Sequence, residues 1–160
     1  MAKNHIISFS NKMDFDKMWA DTIYDDDNPG TTLGGNLTSL TNFCCVRLSH
    51  ALMSGGHTIT QTSDFKDKNG KRYIIRCATM KAYLTQKISA PKKILAITKT
   101  TRGIVYFEDC GFSDATGHFA LVKKGVFRRA GDNYSNLAKS IYLWEFKDPE
   151  EENNNNKKAT

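Results

Sequence analysis

Two residues of this sequence have the chemistry of a nucleophile and its base: a cysteine at the start of a helix and a histidine at the start of a strand. Cys44 precedes a run in which Cys44, Leu48, Ala51 and Leu52 recur at i, i+4, i+7 and i+8, the spacing of an amphipathic helix with one buried face. Asn42 is a candidate N-cap, and Gly55-Gly56 ends the run. A thiol in a first helical turn is drawn toward thiolate, because unpaired N–H groups and the helix dipole favour the anion. The same pattern also describes a buried structural cysteine, so nucleophilic chemistry requires a base as well. Among four histidines His118 is the best placed, directly after Gly117 at the mouth of a predicted hairpin. His50 lies six residues beyond Cys44, roughly 9 Å along the helix axis and too far for proton transfer. His57 falls just past the helix and His5 in the terminal segment. A third group should orient the imidazole by accepting its other N–H. Asp132 is the candidate, with Asn133 and Asp114 as alternatives. Cys45 is turned about 100° from its neighbour, so only one of the two thiols faces a given cleft. Arg47, one turn on, can either hold the cleft electrostatically or form an ion pair.

The elements that position these groups change period along the chain. Residues 1–30 mix aromatics with acids and end in the turn signal Asn28-Pro29-Gly30; Met13, Phe15, Met18 and Trp19 predict a short helix or irregular segment packed on the body. Residues 31–40 read as a loop feeding the cysteine helix, and 66–71 as a charged loop closing on Asn69-Gly70. Tyr73-Ile74-Ile75 suggests a short strand, and 79–86 a helix barred from continuing by Pro91. Three strands are predicted in the second half, over 103–111, 117–123 and 140–146, the first two joined by a connector of hairpin length. A helix early and an antiparallel sheet later make the fold class α+β, with the cysteine helix packed on the sheet. One domain is expected over 1–147, followed by a low-complexity, disordered tail over 148–160.

Composition sets the outer bounds. At 160 residues with 39% hydrophobic and 25% charged side chains, the chain is neither a repeat nor a coiled coil, and no apolar run reaches membrane-spanning length. The N-terminus lacks the apolar core of a cleaved signal peptide. Net charge is +6, unevenly placed: three Lys against six Asp in residues 1–30, but seventeen basic against seven acidic groups in 31–146. That basic body favours an anionic partner, such as nucleic acid, an acidic lipid surface or a wall polymer. The four cysteines lack paired C-x-x-C spacing, so neither a structural zinc nor any cofactor is expected, and a Cys77–Cys110 disulfide is left open.

Two longer blocks carry a resemblance. N-F-C-C-V-R-L-S-H-A-L, from Asn42 to Leu52, resembles the Asn-x-Cys-Ala-(Ile/Val)-Arg-(Leu/Val/Met)-Ser-x-Ala-Leu nucleophile helix of the type VI secretion amidase effectors, fourth family. G-F-S-D-A-T-G-H-F-A-L, from Gly111 to Leu121, resembles the Gly-Trp-x-Asp-Ala-Thr-Gly-His block of the same family, with Phe112 in place of its tryptophan. The likeness runs over about 33–146 and implies a papain-like, NlpC-related fold with a Cys-His-Asp triad. Carried over by position, Cys44 is the nucleophile, His118 the base and Asp132 the third member. The family's activity would make this a peptidoglycan amidase that cuts between D-Glu and meso-diaminopimelate in stem peptides. Such a protein would be passed by the secretion machinery into a rival's periplasm, with a cognate immunity protein plugging its cleft. An oxyanion hole would use the Cys44 backbone N–H and a second donor that the sequence does not name. Two other readings are a cysteine protease or transglutaminase-like enzyme of the same fold, and a non-catalytic basic module. The second is disfavoured, because the aromatics fall in strands or the acidic N-terminus rather than among basic residues, so no nucleic acid and no membrane insertion are expected.

Overall fold

A computed structural model describes residues 13–111 and 117–148 of the chain. The 112–116 connector with Asp114 and Phe112, the terminal His5, and the 149–160 tail lie outside the described residues.

The first segment folds through its own carboxylates. Asp14 caps helix α1 (Phe15–Trp19) by accepting the Lys17 N–H, and Asp21 caps a 3-10 turn (Thr22–Asp25) by accepting the Ile23 N–H. Helix α2 (Pro29–Leu33) and a second 3-10 turn (Gly35–Ser39) occupy the stretch read as a turn and a loop. Pro29 sits at the first position of α2, where its fixed φ and missing N–H suit a helix start, so the proline signal marked an entry rather than a turn. Gly35, at φ 65°, passes so close to the Lys66 carbonyl that a Cβ would lie 2.1 Å from its oxygen, so no other residue fits there.

Helix α3 (Cys44–Ser54) runs through the middle of the molecule. Its expected apolar face is buried, and so are Val46, Arg47 and Ser49, because the first segment covers the side away from the sheet. Ile23, Leu33, Leu37, Val46 and Tyr73 form a separate core cluster on that side. The predicted strand at Tyr73–Ile75 does not form. Ser49 Oγ accepts the Ile74 N–H and donates to the Ile74 carbonyl, which satisfies the backbone groups a neighbouring strand would have taken. Beside it only an isolated bridge, Lys66 to Arg72, is made. Helix α4 (Cys77–Lys87) begins two residues earlier than predicted and stops ahead of Pro91.

The sheet is antiparallel and five-stranded, in the order β1-β5-β2-β3-β4: β1 (Lys92–Ile94), β2 (Gly103–Glu108), β3 (Gly117–Lys123), β4 (Val126–Phe127) and β5 (Ser140–Glu145). The three predicted strands form its centre; β1 and β4, three and two residues long, are too short to leave a periodic signal. Ile104, Tyr106, Phe119, Leu121 and Trp144 pack toward α3 and α4. Val105, Phe107, Ala120, Val122, Ile141 and Leu143 fill the opposite face together with Cys110. Cys77 belongs to the first cluster and Cys110 to the second; all four cysteines are free thiols, so the Cys77–Cys110 disulfide left open by the sequence does not exist.

Candidate active site

Cys44 is the first residue of α3, buried at 6% exposure. Phe43, not Asn42, is the N-cap residue by backbone geometry; Asn42 instead turns its Oδ1 to the Cys44 N–H at 3.4 Å. At the start of β3, His118 Nε2 lies 3.0 Å from Asp132 Oδ1, and the imidazole makes a side-chain hydrogen bond to Cys44. With Nε2 held by the carboxylate, Nδ1 is the nitrogen left for the thiol. Tyr134 sets its ring edge-on against the imidazole, with centroids 4.4 Å apart, and fixes its plane. The structure thus brings Cys44, His118 and Asp132 together from a helix, a strand and a loop.

The alternatives for the third position separate cleanly where they are described. Asn133 Oδ1 accepts from the Ser135 N–H at 3.1 Å and from the Ser135 hydroxyl, so it closes a turn and does not reach the histidine. The other described histidines are occupied: His50 Nδ1 is 2.5 Å from Asp21, and His57 Nε2 is 2.5 Å from the Tyr83 hydroxyl. Arg47 anchors the first segment by donating to the Asp26 carbonyl at 2.9 Å. Among the described residues its Nε and the Tyr24 hydroxyl are buried without hydrogen-bond partners, and both feel the charges of Cys44 and Asp132.

Electrostatics sort the two adjacent thiols. Cys45 and Cys77 set their sulfurs 4.0 and 3.8 Å from that of Cys44, and these hydrogen bonds pull the Cys44 pKa well below the usual thiol value. Burial opposes the shift, and the His118 contact reinforces it. The same bonds push Cys45 well above the usual value and Cys77 up to about 12. For His118, burial works against protonation, but the hydrogen bonds to Asp132 and Cys44 outweigh it and raise the pKa to about 9. Both shifts favour a thiolate beside an imidazolium. The Cys45 and Cys77 contacts were not read from the sequence, and Asn42, read as the N-cap, bonds the Cys44 N–H from one position further out. The positions of Asn42 and Cys45 beside Cys44 were visible, but Cys77 arrives from thirty-three residues away.

The loop that carries Asp132 is tied to the first segment. Arg128 donates to the carbonyls of Trp19 and Asp21 and holds Asp25 at 2.6 Å; Arg129 donates to the Tyr24 carbonyl and holds Asp27 at 2.7 Å. Asp16 takes Lys123 and Arg102. The acidic N-terminal segment thus neutralises part of the basic body from within.

A cysteine-bearing helix packed on an antiparallel sheet whose strand presents the histidine is a papain-like architecture of the NlpC type. A family model, type VI secretion system (T6SS) amidase effector protein 4, matches residues 40–144, and the chain belongs to that family. Three solved structures share the fold. The effector Tae4 from Salmonella typhimurium, solved in its effector–immunity system with Tai4, is similar at 22% identity and a TM-score of 0.71, over 84% of this chain and 99% of that one. Tae4 in the Tae4–Tai4 complex from Enterobacter cloacae gives 22% and 0.70, again over 84% and 99%. The effector Tae4 from Enterobacter cloacae gives 21% and 0.70, over 84% and 97%. No curated protein matches the sequence. By family the chain is an amidase effector, a hydrolase.

Proposed function

We propose that this amidase is a cysteine-dependent peptidoglycan DL-endopeptidase that cuts stem peptides between D-Glu and meso-diaminopimelate. The observation that carries the mechanism is His118, held between Asp132 and a Cys44 thiol at a helix N-terminus. The Cys44 thiolate adds to the amide carbon; the developing oxyanion is received by the Cys44 N–H, which exchanges its long 3.4 Å bond to Asn42 Oδ1 for the new charge. His118 Nδ1 gives its proton to the leaving amine, and a thioester remains. The neutral imidazole then takes a proton from water, which attacks the thioester and expels the Cys44 thiolate, restoring its pair with the imidazolium. Asp132 keeps the ring in the tautomer and orientation that both steps need.

The basic body suits an anionic wall polymer. Family membership supports delivery into a rival's periplasm and neutralisation in the producer by a cognate immunity protein covering the cleft. Among the described residues no helix is long and apolar enough to cross a membrane. The test is digestion of purified sacculi by the wild type and by Cys44→Ala, with released muropeptides identified by mass spectrometry. The wild type alone should yield fragments ending at D-Glu. Cleavage of another bond corrects the specificity; cleavage by Cys44→Ala removes the cysteine mechanism; inertness of both removes the wall-hydrolase reading.

A further inference from the structure

The thiols of Cys44, Cys45 and Cys77 meet in one place. Their sulfurs are 4.0 Å apart for Cys44 and Cys45, 3.8 Å for Cys44 and Cys77, and 3.7 Å for Cys45 and Cys77. All three residues are buried. An acylation mechanism needs only one of these sulfurs. A triangle with those edges has its centre about 2.2 Å from each corner, against the roughly 2.3 Å of a zinc–thiolate bond. A cation of that kind set just off the sulfur plane would meet three thiolates without any of them moving far.

The fourth position of a tetrahedron would be filled by a neighbour of Cys44 moving a short way toward the other two sulfurs. His118 already contacts Cys44 and, with Nε2 on Asp132, offers Nδ1. A carboxylate holding one ring nitrogen while the other binds metal is the usual support of a histidine–zinc bond. Three sulfurs and one imidazole select borderline-soft, tetrahedral divalent ions over magnesium or calcium, which require oxygen ligands.

We infer that Cys44, Cys45, Cys77 and His118 form a binding site for a thiophilic divalent cation of the zinc class, whose occupancy switches the enzyme off. Bound metal takes the electron pairs of the Cys44 sulfur and of His118 Nδ1, the two atoms that acylation requires, so metal and substrate turnover exclude each other. The inhibitory half rests on the cysteine mechanism proposed above; the binding half does not. Among the described residues Cys44, Cys45 and Cys77 are the one group of three or more Cys, His, Asp or Glu side chains close enough to share an ion, and His118 joins them through its contact with Cys44. Its members are distant in sequence, which is why spacing alone pointed away from a zinc site.

The full chain, reduced with a phosphine, is titrated with Co2+ as a visible probe and then with competing Zn2+, for the wild type, Cys45→Ser and Cys77→Ser. Serine keeps the size of each side chain, and circular dichroism checks each fold. The wild type should bind one Co2+ with intense tetrahedral and thiolate charge-transfer bands, lost on adding Zn2+. Each serine variant should bind at least tenfold more weakly. Muropeptide release by the wild type should be inhibited by stoichiometric Zn2+ and restored by a chelator. In Cys77→Ser inhibition should need at least tenfold more Zn2+, judged against that variant's own metal-free rate. Absence of saturable binding, or wild-type affinity in both serine variants, overturns the site. Binding with undiminished release overturns its inhibitory role. Metal-free wild type that releases nothing, yet binds Co2+ as described, leaves the site standing and removes the peptidoglycan reading instead.

Discussion

The proposed mechanism runs on a Cys44 thiolate beside a His118 imidazolium, and the rate must follow both charges. The ion pair exists above the lowered pKa of Cys44 and below the value of about 9 at His118. kcat/KM on a soluble stem-peptide fragment should therefore be flat through neutrality and fall as pH rises through about 9, where His118 loses the proton the leaving amine requires. A profile still rising at pH 10 would mean that a neutral thiol–imidazole pair is the active form. Because the hydrogen bond with Cys45 is the largest cause of the lowered Cys44 pKa, Cys45→Ala should move the acidic limb upward while the neutral plateau changes only mildly. Were Cys45→Ala the inactive variant and Cys44→Ala the active one, the nucleophile would be Cys45. At the third position, Asp132→Ala should lower kcat by about 10²–10⁴-fold with the fold kept, and Asn133→Ala should stay near wild type. Equal losses in both would show that the loop, not the carboxylate, matters. Cys44 and His118 were legible because each sits in a long motif next to an element boundary. Asp132 and Asn133 were not separable by sequence, since which of two neighbours faces the ring depends on a turn closed by Asn133 and Ser135.

Strand β3 carries His118, and its first residue decides where the strand starts. A Cβ on Gly117 would lie 2.3 Å from the Phe107 carbonyl oxygen and 2.7 Å from the Tyr106 ring, so β3 must shift away from β2 to accept one. Gly117→Ala should cost about 1–3 kcal/mol of stability, seen as a lower urea midpoint. Activity should fall more than stability does, because the histidine moves with the strand. Full activity in a destabilised Gly117→Ala variant would show that His118 is set by Asp132 and Tyr134 alone. The central strands were readable because glycines bound short runs rich in Ile, Val, Tyr and Phe, and the cysteine helix because its apolar spacing ends at Gly55-Gly56. The failures have one physical source. At Tyr73–Ile75 the backbone finds its partner in the hydroxyl of Ser49, twenty-five residues earlier, and at Pro29–Leu33 a proline that could open a turn opens a helix. In both places a contact distant in sequence, or a local residue with two uses, decided the outcome.

Across the whole molecule, charge is arranged in two layers that the counts had already separated. The acids of the first segment lie on cations that flank the Asp132 loop, so this segment is a strap over the site as well as a cover for α3. Two kinds of bond hold the strap, and their magnitudes differ. Asp25 and Asp27 are 63% and 92% exposed at the side chain, where ion pairs are screened and contribute little. Arg128 is 14% exposed at its side chain and also donates to the carbonyls of Trp19 and Asp21, bonds that salt does not screen in the same way. Losing these charge-assisted bonds in Arg128→Ala should cost about 2 kcal/mol, a fall of roughly 4–8 °C in Tm for a chain of this size. Replacing both acids, Asp25→Asn with Asp27→Asn, should shift Tm far less, and high salt should abolish even that difference. If the double acid variant proves the more damaging one, the strap is held by its ion pairs, and amidase activity should then fall with ionic strength as the loop carrying Asp132 loosens. If Arg128→Ala is the more damaging, salt should leave the catalytic geometry intact and weaken only the attraction between the basic body and an anionic wall, raising KM on sacculi at constant kcat.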